Sequence, residues 1–178
     1  MIKNLTATIF GILLLTLQSS VAFPDLLGMG GPDLFVCLVA YLGLRRDLVA
    51  GAIPLVIVGF LADTYAATPA GLHLGTAVIV FLLLQLLQMR LVIRGLGAGV
   101  VIVVLSSLAA AIVFWLLATI FVPSFSGGVA LLRFAFPKAL LTAPFAIVVL
   151  WVMSWLDGID PWSRRPSRNG LQFDLLPR

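Results

Sequence analysis

The sequence predicts an all-α polytopic membrane protein of six transmembrane helices, with both chain ends in the cytoplasm. Three observations carry that prediction. Only 10% of the residues are charged and 62% are hydrophobic, with a mean hydropathy of +1.19, whereas soluble domains carry roughly 25% charged residues. The apolar residues fall into six long runs divided by Gly, Pro and Arg, the residues that punctuate helices. Nine of the eleven Lys and Arg residues fall on one side when the runs are threaded back and forth, as the cytoplasmic bias of basic residues requires.

The first run, 5–23, is long enough to span at about 1.5 Å per residue. Lys3 before it and Ser20-Val21-Ala22 after it also resemble a signal peptide; the reading favoured is a retained anchor. Residues 24–32, rich in Gly and holding Asp25, form a loop. The second run, 34–44, has only 11 residues, about 17 Å of helix against a ~30 Å hydrocarbon core. Pro32-Asp33 starts it, Asp being a good N-cap, and Arg45 and Arg46 snorkel beyond its other end. So short a helix either thins the bilayer or is enclosed by protein. Tyr41 should then point its hydroxyl toward protein or the inner interface rather than into lipid.

Asp47 caps the third run, 48–62, which holds Gly51, Pro54 and Gly59. A turn over 65–71 leads to the fourth, 73–89, closed by Arg90 and Arg94. The fifth, 96–122, opens in "GLGAG", and a loop over 123–128 follows. Residues 129–136 are apolar but carry Arg133, and Pro137-Lys138 is expected to interrupt them before the sixth run, 139–156. These spans form one transmembrane domain, 1–160. The remainder, 161–178, is a cytoplasmic basic tail in which Trp162 lies beside Arg164, Arg165 and Arg168, a composition suited to an anionic inner leaflet.

Composition and spacing also narrow the chemistry. The pI near 10 reflects topology signals and does not point to nucleic acid. Cys37 is the lone cysteine and sits in an apolar run, so it reads as a buried structural thiol. Ser106 and Ser107 lie mid-span with no Gly-x-Ser-x-Gly around them, and His73, the one histidine, lies near the outer surface. A serine nucleophile needs a positioned base, and an aspartyl protease needs paired carboxylates. Neither arrangement is evident, so no catalytic residue, metal site or cofactor is expected. "GLGAG" has no strand before it and is not a nucleotide loop. Gly95 and Gly99, like Ala7 and Gly11, instead have the four-residue spacing that lets helix backbones approach.

Arg133 and Lys138 are the two basic residues left outside, together with Asp25, Asp33 and Asp63. Two arrangements are open: cations resting in the headgroups along an interfacial 129–136 segment, or one of them turning inward to a carboxylate or partner. Asp63 raises the matching question, because it lies where the third helix ends and the macrodipole is negative. Helix capping is therefore not its purpose on this reading, and a solvated outer turn is one alternative. Asp63 is expected to hold the following turn, either through an outer-face ion pair with Arg133 or Lys138 or through backbone donors of the turn.

The stretch "GPDLFVCLVAYLGLRRDLVAGAIPLVIVGFLADTYAATPAGLHLGTA" resembles the rod shape-determining protein MreD family. The shared pattern is Pro32-Asp33 before a short apolar helix containing Tyr41 and followed by the basic Arg45. A glycine-bearing helix then ends in Gly59-x-x-x-Asp63, and the turn Pro69-Ala70-Gly71-Leu72 follows. The core of the likeness covers about 31–76, and the six-span plan covers the rest. In the fourth span a run around Phe81 replaces the Gly-Tyr that family members often have, and no Asn precedes Pro144.

That resemblance implies a non-enzymatic component of the bacterial inner membrane that acts in cell elongation. Family members dock MreC, a bitopic protein with a large periplasmic domain. They belong to an assembly with the actin-like MreB, the glycosyltransferase RodA and the elongation transpeptidase, and so influence peptidoglycan synthesis and cell shape. The family fold is similar to the substrate-binding subunits of energy-coupling-factor vitamin transporters. The alternative function is therefore a small-molecule-binding subunit of a vitamin-type transporter, with an outward pocket. Its outer segments offer few polar groups, essentially Thr64, Tyr65, Thr68, His73 and Ser124. Membrane lipids are partners on either reading.

Overall fold

The computed structural model describes residues 2–20, 31–66, 69, 71–90, 95–122, 128–156 and 158. Those residues form six α-helices: α1 (Ile2–Ser20), α2 (Leu34–Arg45), α3 (Leu48–Tyr65), α4 (Leu72–Arg90), α5 (Gly95–Phe121) and α6 (Gly128–Leu156). By length and composition, Leu48–Tyr65, Gly97–Phe121 and Arg133–Leu156 can cross a membrane. Asn4–Ser19, Leu34–Arg45 and Leu72–Gln88 are shorter apolar helices. The tail over 161–178, most of the loop over 24–32 and the link over 91–94 lie outside the described residues.

The bundle is organised around α2. Every residue from Leu34 to Leu44 is buried, and the helix packs against all five others. A helix with no polar face cannot sit at a wet surface; here its short length and continuous apolar circumference are answered by enclosure on all sides. Small residues permit the approach. A Cβ on Gly43 would lie 2.8 Å from Leu84 Cβ of α4. One on Gly11 of α1 would lie 2.7 Å from both Leu38 Cδ2 and Val58 Cγ2, so the Ala7/Gly11 pair faces the core, with Ala7 itself 1% exposed.

The other helices divide into an inner and an outer face. Phe60, Leu86, Ile120 and Trp155 are all more than half exposed. Exposed apolar side chains spread over five helices make a perimeter suited to hydrocarbon and not to water.

Two elements differ from the sequence expectation. α3 continues to Tyr65, which places Asp63 inside its last turn. More substantially, 129–136 is not a separate interfacial segment, because α6 runs unbroken through Pro137 and Pro144. Proline removes one backbone donor and crowds the preceding turn. Breaking the helix in apolar surroundings would leave more backbone groups unpaired than that single loss.

Candidate functional site

The polar side chains that the sequence singled out gather at two levels of the bundle. At the end where α3 passes to α4, Asp63 is 4% exposed. Its carboxylate accepts hydrogen bonds from the backbone N–H groups of Gly71 (2.8 Å to Oδ2), His73 (2.6 Å to Oδ1) and Leu74 (3.4 Å to Oδ2). These are donors at the start of α4, which have no partners within their own helix. Asp63 is thus a cap after all, for the next helix and not its own, with its charge at the positive end of the α4 macrodipole. The turn makes this possible. Gly71 adopts φ +95, a region costly for any residue with a Cβ, and Leu72 N–H bonds to Pro69 O at 3.2 Å. Pro69 and Gly71 are exposed. Gly59, one turn before Asp63, lets α3 and α4 close together: a Cβ there would lie 2.8 Å from Leu74 Cδ1.

Of the two arrangements expected for Asp63, the backbone donors of the turn are the one formed; the ion pair with Arg133 or Lys138 is not. Lys138 Nζ lies 3.1 Å from Asp33 Oδ2, and Arg133 is exposed. The His73 ring lies near Asp63, its Nδ1 4.0 Å from Oδ1, which is too far for a hydrogen bond. Three backbone donors already satisfy the Asp63 carboxylate, whereas Asp33 keeps one oxygen for a cation. Asp33 caps α2, Oδ1 accepting from Val36 N–H at 3.2 Å. Its own N–H donates to Thr142 Oγ1 at 3.0 Å, and Thr142 in turn donates to Lys138 O at 2.8 Å. Asp33, Lys138 and Thr142 therefore join α2 to α6. Beside them, Pro32 is buried.

At the opposite end, Arg46 Nη1 donates to Asn4 Oδ1 at 2.8 Å, and Gln85 Nε2 donates to Arg46 O at 2.8 Å. This ties α1 and α4 to the α2–α3 link. Arg45 is half-buried beside it. Tyr41, fully buried, donates its hydroxyl to Met153 O at 3.1 Å. The expectation that this hydroxyl faces protein holds, and the partner is α6.

Between the two levels, just inside the α3–α4 end, lies a cavity of about 570 Å³ lined by all six helices. Gln18, Asp33, His73 and Lys138 stand at its polar edge, and Val39, Val80 and Ala110 line its wall. The His73 ring meets Phe114 edge-on, with centroids 5.0 Å apart. No signal in the sequence located this space, which arises from small residues on facing helices (Ala62, Ala77, Ala110, Ala111). Of the hydroxyls considered for catalysis, Ser106 donates to Ile102 O at 2.6 Å. Among the described residues no group of three or more His, Cys, Asp or Glu is placed to hold a metal.

No family model, no curated protein and no solved structure matches this chain.

Proposed function

We propose that this protein is a membrane scaffold of the MreD type, with all six helices in the bacterial inner membrane and both ends cytoplasmic. Its work is docking an MreC-type bitopic partner and, through it, influencing peptidoglycan synthesis and cell shape. One observation supports this reading above others. The residues of the resemblance (Asp33, Tyr41, Gly59, Asp63, Gly71) are engaged in internal caps, hydrogen bonds and close contacts. They fix a rigid bundle whose outward face is apolar side chain. Such a body acts by helix–helix contact, where shape and small residues decide association in lipid.

The test is purification from the native membrane in mild detergent, with identification of the proteins that accompany the chain, alongside depletion in growing cells. A bitopic partner with a periplasmic domain should co-purify, and depleted rods should round up. Rods that keep their shape, with no such partner retained, refute the reading. The cavity is the specific observation that favours the second reading, a transporter's small-molecule-binding subunit. On that reading a water-soluble ligand accompanies the purified protein.

A further inference from the structure

We propose that the cavity is a binding site for one hydrocarbon chain of a membrane lipid, whose polar head rests at the edge formed by Gln18, His73 and the Asp33–Lys138 pair. The inference does not depend on the scaffold reading, since it concerns what fills the bundle and not what docks on it.

The cavity's volume, about 570 Å³, lies within the roughly 300–1,000 Å³ of ordinary ligand pockets. Its wall is made of Leu15, Val36, Val39, Val80, Ala110 and Phe114 among others. The cavity is partly open to its surroundings, and water fills an apolar recess poorly without polar partners. A compact polar metabolite finds few partners either. Thr76 already donates to Leu72 O at 2.8 Å, and Gln18 Oε1 already accepts from Phe35 N–H at 3.3 Å. Asp33 and Lys138 engage each other at 3.1 Å. What remains is the Ser107 hydroxyl, 5% exposed, with Ser19, Tyr65 and the unpartnered His73 Nδ1; the apolar wall between them offers little to a molecule that must surrender a full hydration shell. A chain of methylene groups loses nothing there and covers apolar surface.

The polar groups lie where a lipid would need them. Gln18 belongs to the end of α1, and Asp33 and His73 to the starts of α2 and α4; Lys138, about three turns into α6, reaches the same level through its bond to Asp33, so the head stays at that level while the tail goes inward. Lys138 keeps 36% of its side chain exposed, enough to meet a headgroup phosphate while paired with Asp33.

The experiment uses the full chain in nanodiscs of phosphatidylglycerol containing a small fraction of the same lipid with a photoreactive diazirine on its chain. After irradiation, mass spectrometry maps the labelled residues. Val36, Val80 and Phe114 should be labelled together with perimeter residues such as Leu86. Ala110→Phe puts a ring into the chain's space and should lower the inner labelling by about tenfold. Labelling of Leu86 should not change, which also reports that the variant inserts and folds; Ala77→Leu serves the same purpose if Ala110→Phe does not fold. Labelling confined to the perimeter, or inner labelling that survives both substitutions, overturns the proposal. So does a water-soluble molecule, carried from the native membrane, that protects Val36 and Phe114 from the label.

Discussion

Replacing Asp63 should loosen the start of α4 specifically, and the structure sets the size of the effect. In Asp63→Ala the N–H groups of Gly71, His73 and Leu74 lose their acceptor. The contact at 3.4 Å is long and weak, and the other two, at 2.8 and 2.6 Å, are well formed. Gly71 is exposed, so its N–H can turn to water. The His73 N–H faces the buried Asp63, 4% exposed, and an unpaired buried donor costs ~1–3 kcal/mol. That cost already contains the loss of the helix cap, ~1 kcal/mol where the cap is exposed, so the total is about 2 kcal/mol. At 1.4 kcal/mol per factor of ten, that is roughly thirtyfold faster amide exchange. Hydrogen exchange of the purified protein, read at His73 and Leu74, measures it directly. Asp63→Asn keeps one acceptor oxygen and turns its amide toward a remaining donor, so it should lose about 1 kcal/mol. Asp63→Glu should be partly tolerated, because one added methylene displaces the carboxylate. Exchange at His73 and Leu74 that is the same in Asp63→Ala as in the parent protein refutes the capping role.

Three further outcomes are expected. Gly43→Ala places a methyl 2.8 Å from Leu84 Cβ and should lower thermal stability by ~1–3 kcal/mol, the usual cost of overpacking; Leu84→Ala, which keeps that Cβ, should not restore it. Tyr41→Phe deletes the 3.1 Å hydrogen bond to Met153 O at unchanged shape and should cost about 1 kcal/mol in a thermal or denaturant midpoint. In a background lacking Cys37, a cysteine at exposed Pro69 should react with an impermeant thiol reagent added outside intact cells, and one at exposed Asp47 should not; the reverse pattern overturns the N-in orientation.

What was legible in the sequence follows from which interactions are local. Asp33 caps the helix that starts beside it, three residues from its acceptor bond at Val36, and such a cap is visible in a short motif. The enclosure of α2 was legible too, because an apolar run of 11 residues is too short for a comfortable lipid-facing span. Helix limits were legible where charge or glycine ends a run. They failed at Pro137, where the rule that proline breaks helices holds for water and weakens in apolar surroundings. The partner of Lys138 was not legible. Charge counting placed two cations and three carboxylates on one side, but choosing between Asp33 and Asp63 depends on which carboxylate is already saturated by backbone donors. That is a property of the folded turn.

Asp33 and Asp63 show why a carboxylate's neighbours in sequence are an unreliable guide to its task. Both sit at the same end of the bundle, and both satisfy the free N–H groups of a helix start. Asp33 does so within its own chain segment and has an oxygen left for Lys138. Asp63 reaches donors eight to eleven residues ahead, because the α3–α4 turn, with Gly71 at φ +95, folds the start of α4 back over the end of α3. The unfavourable position at the end of α3, a macrodipole effect of ~0.3–1 kcal/mol, is outweighed by two well-formed, charge-assisted bonds to α4, each roughly twice as strong as a neutral one. The paired caps fix the starts of α2 and α4, and Lys138 and Thr142 of α6 are fixed to Asp33. His73, Asp33 and Lys138 also stand at the edge of the cavity, so the network that closes the bundle at this end also shapes the entrance to the cavity.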